Sequence, residues 1–488
     1  MLSMRHVIGL SVGLFGMCEL VYLFVQVNYQ VYYKPQHHSV ENENEQDLHE
    51  VLSLLPKDRL NIWMMPIRSR VKAQVKKSEI LPPSVIDILV PNASYIWKEG
   101  QDNYVYRYYD PLKPKLFNLS ETNNGLFTNF SNVLCFGHGT NATLSSKGKS
   151  CVCVSGWSGA ECAIPHVLNK SRMPIGIDKM KIRKSPRRIL HAINVNHEVD
   201  MSEVRFHELS DVVDVFIICE SNYTAFGMPK NLTFLSLLQK GFLKEFQHKI
   251  AYIFLDHFPS GGKEDGWVAD RYLRTFMGKK ALTQIIGYRP DDLIVLADAD
   301  EIPSSDVLWF LKMYDGYSEP IAFTLRWSYY GFFWKGPNDK HTQVTSAATI
   351  AYVKYVCDSD LIKLRRPPKQ LNSDVYRSAF NRSVLTWTIG PPQGPFAGWH
   401  CSWCFPPQGI QTKLISAQNG DFPRWGNFKA KQSLDYIKGL IRDGKYFDGS
   451  HPFKAIVTLK SDAFYAPSYV LSNPKRFSYL LHNPYRST

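Results

Sequence analysis

The sequence lacks the compositional marks of several protein classes. It contains no internal repeat, which excludes a repeat protein. Charged residues make up only 21% of the 488 residues and hydrophobic residues 44%, a balance that excludes a largely disordered chain. With 30 glycines the chain is far too poor in glycine for collagen. The length predicts two or three structural units with connectors.

Charge and aromatic content leave several functions open. Lys and Arg number 57 against 44 for Asp and Glu, a net charge of +13. This basic balance suits nucleic acid, an anionic membrane surface or a phosphate-bearing substrate, and charge alone does not choose among them. Aromatic residues make up 13% of the chain. Their flat amphipathic rings suit a sugar-binding cleft and a hydrophobic core equally well.

A long apolar run near the N-terminus predicts a membrane anchor. Residues 7–27 are almost continuously apolar, with Glu19 as the one acidic interruption. As a helix the run would span about 30 Å, the thickness of the hydrocarbon layer. A cleaved signal peptide is the alternative, but the run exceeds a usual signal-peptide core and no small-residue cleavage pattern follows Val27. We predict an uncleaved transmembrane signal anchor with a cytoplasmic tail of residues 1–6.

Glycosylation signals orient the chain. Asn-x-Ser/Thr sequons occur at Asn92, Asn118, Asn129, Asn141, Asn169, Asn222, Asn231 and Asn381. All of them follow the anchor, so we predict that the body of the protein is lumenal and glycosylated. The predicted topology is single-pass type II, and no nucleic-acid partner is expected there.

A cysteine cluster predicts a small disulfide-bonded module over residues 131–165. Cys135 precedes the pattern C-x-C-x-x-G-W-x-G-x-x-C of residues 151–162. C-x-C is poor spacing for zinc, and the predicted lumenal context favours disulfides. The pattern resembles the second half of an EGF-like module, with four cysteines instead of six. The resemblance implies the pairs Cys135–Cys151 and Cys153–Cys162.

The remaining chain divides by composition. Residues 28–130 are predicted to be a stem, and residues 166–186 a linker whose basic residues, continuing through Arg188, are solvated. From residue 187 onward short apolar runs alternate with amphipathic segments. Strands are predicted over 189–193, 212–219, 250–255 and 293–296, and helices over 200–209, 267–286 and 306–314. This alternation predicts an α/β domain over 187–488 with a doubly wound, largely parallel sheet that binds ligands at the carboxyl ends of its strands.

An acidic motif follows the last of these strands. Asp298, Asp300 and Glu301 come directly after the apolar run 293–297. Two carboxylates separated by one residue can hold one hard cation, Mn²⁺ or Mg²⁺, and leave positions open for phosphate oxygens. This D-x-D arrangement is typical of nucleotide-sugar glycosyltransferases of the GT-A type. A turn and helix cap through Ser304 or Ser305 is the simpler structural alternative.

A second segment, residues 394–425, combines glycines and prolines with candidate functional side chains. His400 could be a further metal ligand or simply a hydrogen-bonded histidine, and Asp421 could be a general base or a turn former. Cys401 and Cys404 could pair with each other, pair with Cys219 or Cys357, or form half of a metal site.

Several motifs in order resemble one enzyme family. They occupy residues 192–198, 204–209, 219–225, 255–259, 298–303, 331–335, 398–405 and 416–425. Over residues 187–488 the chain resembles the bisecting N-acetylglucosaminyltransferases, the N-acetylglucosaminyltransferase III family. The resemblance implies a Golgi type II membrane enzyme that transfers GlcNAc from UDP-GlcNAc, in β-1,4 linkage, to the core β-mannose of N-glycans with a divalent cation, usually Mn²⁺. The family's acidic motif corresponds to Asp298 and Asp300, while Ala297 and Arg271 stand where acidic residues are expected.

Roles can be assigned to the remaining acidic residues as hypotheses. Transfer with inversion requires a carboxylate base near the acceptor hydroxyl, and Asp270, Glu301 and Asp421 are candidates. Glu220, at the end of an early strand, is a candidate nucleotide contact. Three alternatives remain: a relative with another donor or acceptor, a glycoside hydrolase with a carboxylate pair, and a non-catalytic cell-surface protein that binds through its EGF-like module.

Overall fold

The fold is taken from a computed structural model. It describes residues 117–119, 126–130, 132–336, 341–368, 373–390, 394–416, 424–450, 453–455 and 464–486. The predicted anchor and nearly all of the predicted stem lie outside these ranges. Among the residues within them, no helix is both long and apolar enough to cross a membrane.

The strands, in chain order, are β1 Phe117–Asn118, β2 Phe127–Phe130, β3 Val133–Phe136, β4 Trp157–Ser158, β5 Ile164–Pro165, β6 Lys181–Ile182, β7 Ile189–Val195, β8 Val215–Ser221, β9 Ile250–Leu255, β10 Ile285–Ile286, β11 Leu293–Ala297, β12 Glu301–Pro303, β13 Tyr314–Asp315, β14 Glu319–Tyr329, β15 Trp334–Lys335, β16 His341–Thr349, β17 Val384–Ile389, β18 Gly398–Ser402 and β19 Lys454–Ala455. The α-helices are α1 Ala142–Ser145, α2 Val199–Leu209, α3 Thr233–Gln239, α4 Gly266–Gln284, α5 Ser305–Met313, α6 Ile350–Tyr355, α7 Leu361–Arg365, α8 Asp374–Phe380, α9 Pro407–Ser416, α10 Leu434–Asp443, α11 Ser468–Ser472 and α12 Ser478–Leu481.

The predicted parallel strands form one continuous block. β11, β7, β8 and β9 are adjacent in that order and parallel, so their carboxyl ends lie along one edge. Each of the four predicted strands and each of the three predicted helices is present, with ends shifted by a few residues. The apolar runs of β7, β8 and β11 were reliable because these strands are buried on both faces, whereas β9 at the end of the block is partly buried.

The sheet as a whole is mixed, which corrects the prediction of a largely parallel sheet. β16 pairs antiparallel with β11 and with β14, and β18 then pairs parallel with β14. The short strand β12 pairs antiparallel with β18 at the edge of the main path. β12 lies between the acidic motif and the following helix, which begins at Ser305, one residue before its predicted start.

Helices cover both faces of the parallel block. Alternate residues of β7 show why: Ile189 and Ile193 belong to one buried cluster, and Leu190 and Ala192 to another. The first cluster includes α2 and α5, and the second includes α4, α6 and α7. A third cluster, here called the aromatic lobe, joins β14, α9 and α10 through Tyr329, Tyr330, Phe333, Trp334, Trp403, Phe405, Phe447 and Phe453.

The cysteine module is bonded as the EGF-like resemblance implies. Disulfides join Cys135 to Cys151 and Cys153 to Cys162. The hairpins β2–β3 and β4–β5 frame the module, and Phe136 packs against Trp309 of α5 with ring centres 5.8 Å apart. The module therefore shares a hydrophobic core with the sheet domain. Its classification as EGF-like stays a prediction.

The basic stretch before β7 is solvated only in part: Lys179, Lys181 and Lys184 are exposed as predicted, but the arginines are not. Arg187 and Arg188 are 0% and 1% exposed. Arg188 pairs with the buried carboxylate of Asp292 at 2.6 Å, and Arg187 pairs with Asp315 at 2.7 Å. Arg183 is ion-paired with Asp291 and Asp315. These pairs fix the start of β7 against the start of β11.

The described sequons differ in exposure. Asn129, Asn169, Asn231 and Asn381 are exposed, while Asn141 and Asn222 are partly buried. The side-chain oxygen of Asn141 caps α1, and that of Asn222 is buried. Asn92 and the side chain of Asn118 lie outside the described part of the chain.

Candidate active site

A cleft opens at the carboxyl edge of the parallel block. Asn194, Ser221, Leu255 and Asp298 line it, and each lies at or just past the end of a different parallel strand. Its volume is about 350 Å³, within the range of small-molecule sites. The prediction that the ligand site follows the strand ends therefore agrees with the position of this cleft.

The acidic motif forms a tight turn after β11. The backbone N–H of Glu301 donates to the carbonyl oxygen of Asp298 at 3.0 Å. The N–H of Asp298 donates to Oε2 of Glu301, also at 3.0 Å. The side chain of Glu301 thus closes its own turn and is 2% exposed. Asp298 and Asp300 line the cleft, whereas Glu301 does not.

Two arginines hold the Asp298 carboxylate. Nη2 of Arg274 lies 2.5 Å from Oδ1, and Nη2 of Arg365 lies 3.2 Å from Oδ2. Arg365 also pairs with Glu301 at 2.5 Å. Burial alone would raise the pKa of Asp298, but the two guanidinium charges outweigh it and hold that pKa below its usual value. Asp298 is therefore an anion in a fixed orientation.

Asp300 faces His400 and Lys413. Nε2 of His400 lies 3.6 Å from Oδ1, and Nζ of Lys413 lies 3.4 Å from Oδ2. Burial opposes ionisation of Asp300, but these two cations hold its pKa far below the usual value. In turn, burial lowers the pKa of His400 while the Asp300 charge raises it, and the raising effect is larger. The arrangement keeps negative charge on Asp300.

Strand pairing brings His400 to the acidic turn from a distant part of the sequence. β12 and β18 pair so that Glu301 lies opposite His400. This close approach requires glycine at Gly398, where φ is +148° and a Cβ atom would lie 2.2 Å from the carbonyl oxygen of Ile302. The ring of His400 is stacked on Trp327 and lies 2.9 Å from Oγ1 of Thr342 through Nδ1.

A buried arginine, Arg205, holds the backbone of the acidic turn. Nη2 of Arg205 donates to the carbonyl oxygens of Asp298 and Ala299, at 2.6 and 2.9 Å. Nη1 of Arg205 lies 3.1 Å from Nε2 of His191, whose Nδ1 lies 2.9 Å from the carbonyl oxygen of Val295. Burial and the neighbouring Arg205 charge lower the pKa of His191 to about 3. The neutral ring thus donates to Val295 and accepts from Arg205.

Glu220 occupies a structural position instead of the predicted nucleotide contact. It is fully buried and does not line the cleft. Its two carboxylate oxygens accept from the N–H groups of Phe234 and Leu235 at the start of α3, and Oε2 also accepts from Tyr252. The carboxylate therefore satisfies a helix N-terminus.

The candidate bases have different surroundings. Asp270 lines the cleft, but its Oδ2 is 2.5 Å from Nη1 of Arg274. Glu301 is committed to Arg365 and to its own turn. Asp421 lies outside the described residues, so its predicted role stays a prediction.

The far wall of the cleft is aromatic. Trp327, Tyr329, Trp403 and Tyr446 line it. Cys401 and Cys404 form a disulfide on either side of Trp403, which resolves the pairing left open by the sequence, and Cys219 and Cys357 are free and buried. Flat amphipathic rings beside an acidic turn suit a sugar ligand.

The sequence did not identify the cations of this site. Arg205, Arg274, Arg365 and Lys413 all contact the acidic turn, from α2, α4, α7 and α9. Lys413 lies over the rings of Trp403 and Phe405. Of these four cations, only Arg274 could have been inferred from the sequence, because it lies on the helix predicted from residue 267, four residues after Asp270.

Asp300 and His400 are the side chains that best fit a metal ion. The 3.6 Å between Oδ1 and Nε2 can be bridged by one cation bound at about 2.1 Å from each. Asp298 does not complete the set, because both its oxygens are engaged by arginines. Within the described ranges, no group of three or more His, Cys, Asp or Glu side chains is placed to hold a metal.

The cleft thus combines an acidic turn with an aromatic wall at the carboxyl edge of a helix-covered sheet, an arrangement that suits a nucleotide-sugar ligand. Comparison with known proteins agrees. Residues 164–360 match the model of Glycosyltransferase family 17.

Named relatives extend this match. The chain is 48% identical over 342 residues to human beta-1,4-mannosyl-glycoprotein 4-beta-N-acetylglucosaminyltransferase, and 48% and 47% identical to the rat and mouse proteins of that name. Each match covers 70% of this chain and 63% of the relative. The chain thus spans less than two thirds of the length of the curated relatives it matches.

Proposed function

We propose that the chain transfers N-acetylglucosamine from UDP-GlcNAc, in β-1,4 linkage, to the core β-mannose of N-glycans. The observation that carries the proposal is the cleft in which Asp298 and Asp300 face aromatic rings at the ends of the parallel strands. The names of the human, rat and mouse relatives supply the donor sugar, the linkage and the acceptor class.

The charges of the cleft suit departure of a diphosphate. Lys413 carries positive charge beside Asp300, and Arg274 carries it beside Asp298. Fixed charges of this kind stabilise negative charge that develops on a leaving group, because they need no reorganisation during the reaction. The aromatic wall with Trp327 and Trp403 would hold a sugar ring by stacking and exclude water from it.

A divalent cation is part of the proposal. Asp300 and His400 would hold it, and Mn²⁺ suits their mixed oxygen and nitrogen ligands, although Mg²⁺ is the alternative. When bound, the ion would supply positive charge for the phosphate oxygens. The pairing of β12 with β18 orients Asp300. Arg274 and Arg365 keep Asp298 ionised.

We further propose that the enzyme is a single-pass type II protein of the Golgi membrane. Residues 7–27 would be its anchor, and the sheet domain would face the lumen. The three disulfides and the exposed sequons at Asn129, Asn169, Asn231 and Asn381 support an oxidising, glycosylating compartment.

A transfer assay on the full chain in detergent tests the proposal. UDP-GlcNAc and a biantennary N-glycan are supplied with Mn²⁺ or with EDTA, and the linkage is determined by exoglycosidase digestion and mass spectrometry. We expect a bisected product that requires the cation and that UDP-galactose does not yield. A product with GlcNAc elsewhere would contradict the acceptor assignment, and no transfer from any UDP-sugar would contradict the proposed activity.

A further inference from the structure

Glu198 differs from the other carboxylates of the cleft. In the described part of the chain, the carboxylates that line the cleft are those of Glu198, Asp270, Asp298 and Asp300. The three aspartates each pair with an arginine, a lysine or a histidine. Glu198 forms no such ion pair with any described residue, although it is only 5% exposed. A buried carboxylate that lines a cleft without an ion-pair partner is a candidate functional group.

One oxygen of Glu198 is fixed and the other is available. Oε2 accepts from the backbone N–H groups of Asn196 and His197, at 3.0 and 3.1 Å. Oε1 accepts no hydrogen bond from the residues that the structure describes. The two backbone donors therefore orient the carboxylate and leave Oε1 for a ligand in the cleft.

Glu198 lies where the strand ends meet the aromatic wall. It follows β7, and its neighbour His197 stacks on Phe405 with ring centres 4.7 Å apart. Nε2 of His197 lies 3.1 Å from the carbonyl oxygen of Gly409 in α9. Lys413 lies one turn further along α9. Burial lowers the pKa of Lys413, but the charges of Asp300 and Glu198 raise it by more. Glu198 thus lines the same cleft as the aromatic wall and the acidic turn.

The aspartates of the cleft are engaged by cations, whereas Oε1 of Glu198 has no cation of a described residue paired with it. Arg274 and Arg365 pair with the carboxylate of Asp298, and Lys413 and His400 pair with that of Asp300. A carboxylate paired with cations gives up proton affinity, because protonation would leave the cations unpaired. Glu198 keeps an oxygen without a cation on it.

We propose that Glu198 is the general base of the transfer reaction, an inference that rests on the proposed function. Its Oε1 accepts the proton of the acceptor hydroxyl while the hydroxyl oxygen bonds to the anomeric carbon of GlcNAc. The bond from that carbon to the diphosphate oxygen breaks, and UDP leaves with the electron pair. The proton passes from Glu198 to water after the product departs.

The test compares Glu198→Gln with Glu208→Gln in the full chain. Glutamine keeps the acceptor oxygen for the two N–H groups but cannot take the proton. Glu208 is a matched control, because its carboxylate also accepts two backbone N–H groups, from Ser468 and Tyr469, and does not line the cleft. Measured quantities are kcat, the KM of UDP-GlcNAc, the KM of the glycan and the thermal midpoint.

We expect kcat of Glu198→Gln to fall by about 100-fold or more, with both KM values within about threefold of the parent, and Glu208→Gln to retain its kcat. Should Glu198→Gln fail to fold, Glu198→Asp carries the test, with kcat expected to fall at least about tenfold because the shorter side chain withdraws Oε1. A folded Glu198→Gln protein with parental kcat, or with only a raised KM, would overturn the assignment while leaving the proposed function intact. A parent that transfers nothing would overturn the proposed function itself.

Discussion

Nη2 of Arg205 lies 2.6 Å from the backbone carbonyl oxygen of Asp298 and 2.9 Å from that of Ala299. One buried cation on α2 thus holds the turn that carries the acidic motif, 93 residues away in the sequence. The positions of Asp298 and Asp300 are therefore set by helix packing as well as by β11.

Replacement of Arg205 by lysine tests this support. A lysine keeps the charge but cannot reach two carbonyl oxygens and His191 with one planar group. We expect the free energy of unfolding to fall by about 2 kcal/mol and transfer to fall at least about tenfold, since the turn would shift. Urea unfolding followed by tryptophan fluorescence and a transfer assay provide the measurements.

Arg271→Lys is the control for that variant. The side chain of Arg271 is 43% exposed and pairs with Asp265 at 3.5 Å, so its replacement should change the free energy of unfolding by less than about 0.5 kcal/mol. Equal stability and equal activity of the Arg205 and Arg271 variants would show that the turn does not depend on Arg205.

Arg365 neutralises two carboxylates at once. Because it pairs with both Asp298 and Glu301, Arg365→Gln would leave these two anions in repulsion. We expect kcat/KM for UDP-GlcNAc to fall about tenfold to 100-fold. Arg377→Gln, at an exposed pair with Asp374, should leave kcat/KM unchanged. Parental kcat/KM in the Arg365 variant would refute its assigned role at Asp298.

The local pattern of the sequence predicted the parallel strands whose carboxyl ends line the cleft. β7, β8, β9 and β11 are apolar runs in the sequence. The acidic motif could be recognised because it directly follows the apolar run of β11. The antiparallel strands β14 and β16 were missed. Their pairing depends on which strands become neighbours after folding, and composition does not encode this.

Contacts between side chains that are far apart in the sequence were harder still to predict. Arg205, Arg365 and Lys413 reach the acidic turn only because helices from three separate segments pack around it. Arg188 was interpreted as solvated because basic runs usually are, whereas its partner Asp292 lies 104 residues away. Glu220 likewise ends a strand, but its oxygens are used by α3.

The Arg188–Asp292 pair predicts a large stability effect. Asp292 is 0% exposed and accepts from the backbone N–H, Nε and Nη2 of Arg188. Asp292→Asn would leave a buried arginine without its counter-charge, so we expect a loss of about 3–5 kcal/mol in the free energy of unfolding. Asp435→Asn removes an exposed carboxylate paired with Lys438 at 3.4 Å and should cost less than about 0.5 kcal/mol. A small loss in both variants, measured by urea unfolding, would contradict the buried pair.

Asp306 makes stability depend on pH. Burial and the neighbouring Glu208 charge raise the pKa of Asp306 from 3.8 to about 6. Because the folded protein binds this proton more tightly than the unfolded chain, the contribution of Asp306 is favourable below about pH 4 and is lost as the pH rises through about 6.

Asp306→Asn should therefore be more stable than the parent at pH 7, by on the order of 2 kcal/mol, and not at pH 4. Loss of an acidic residue from the first turn of α5 offsets about 0.5 kcal/mol of this gain. Urea unfolding of both proteins between pH 4 and pH 7 measures the difference. A difference that does not change with pH would rule out the raised pKa.

The proposed activity depends most directly on Asp298 and Asp300. Transfer from UDP-GlcNAc to an N-glycan by the Asp298→Asn and Asp300→Asn proteins tests this dependence. Asparagine keeps the size of each side chain and removes its charge. We predict that each variant unfolds cooperatively within about 2 kcal/mol of the parent and loses at least about 100-fold in kcat. Parental kcat in both folded variants would contradict the assignment of this cleft as the catalytic site.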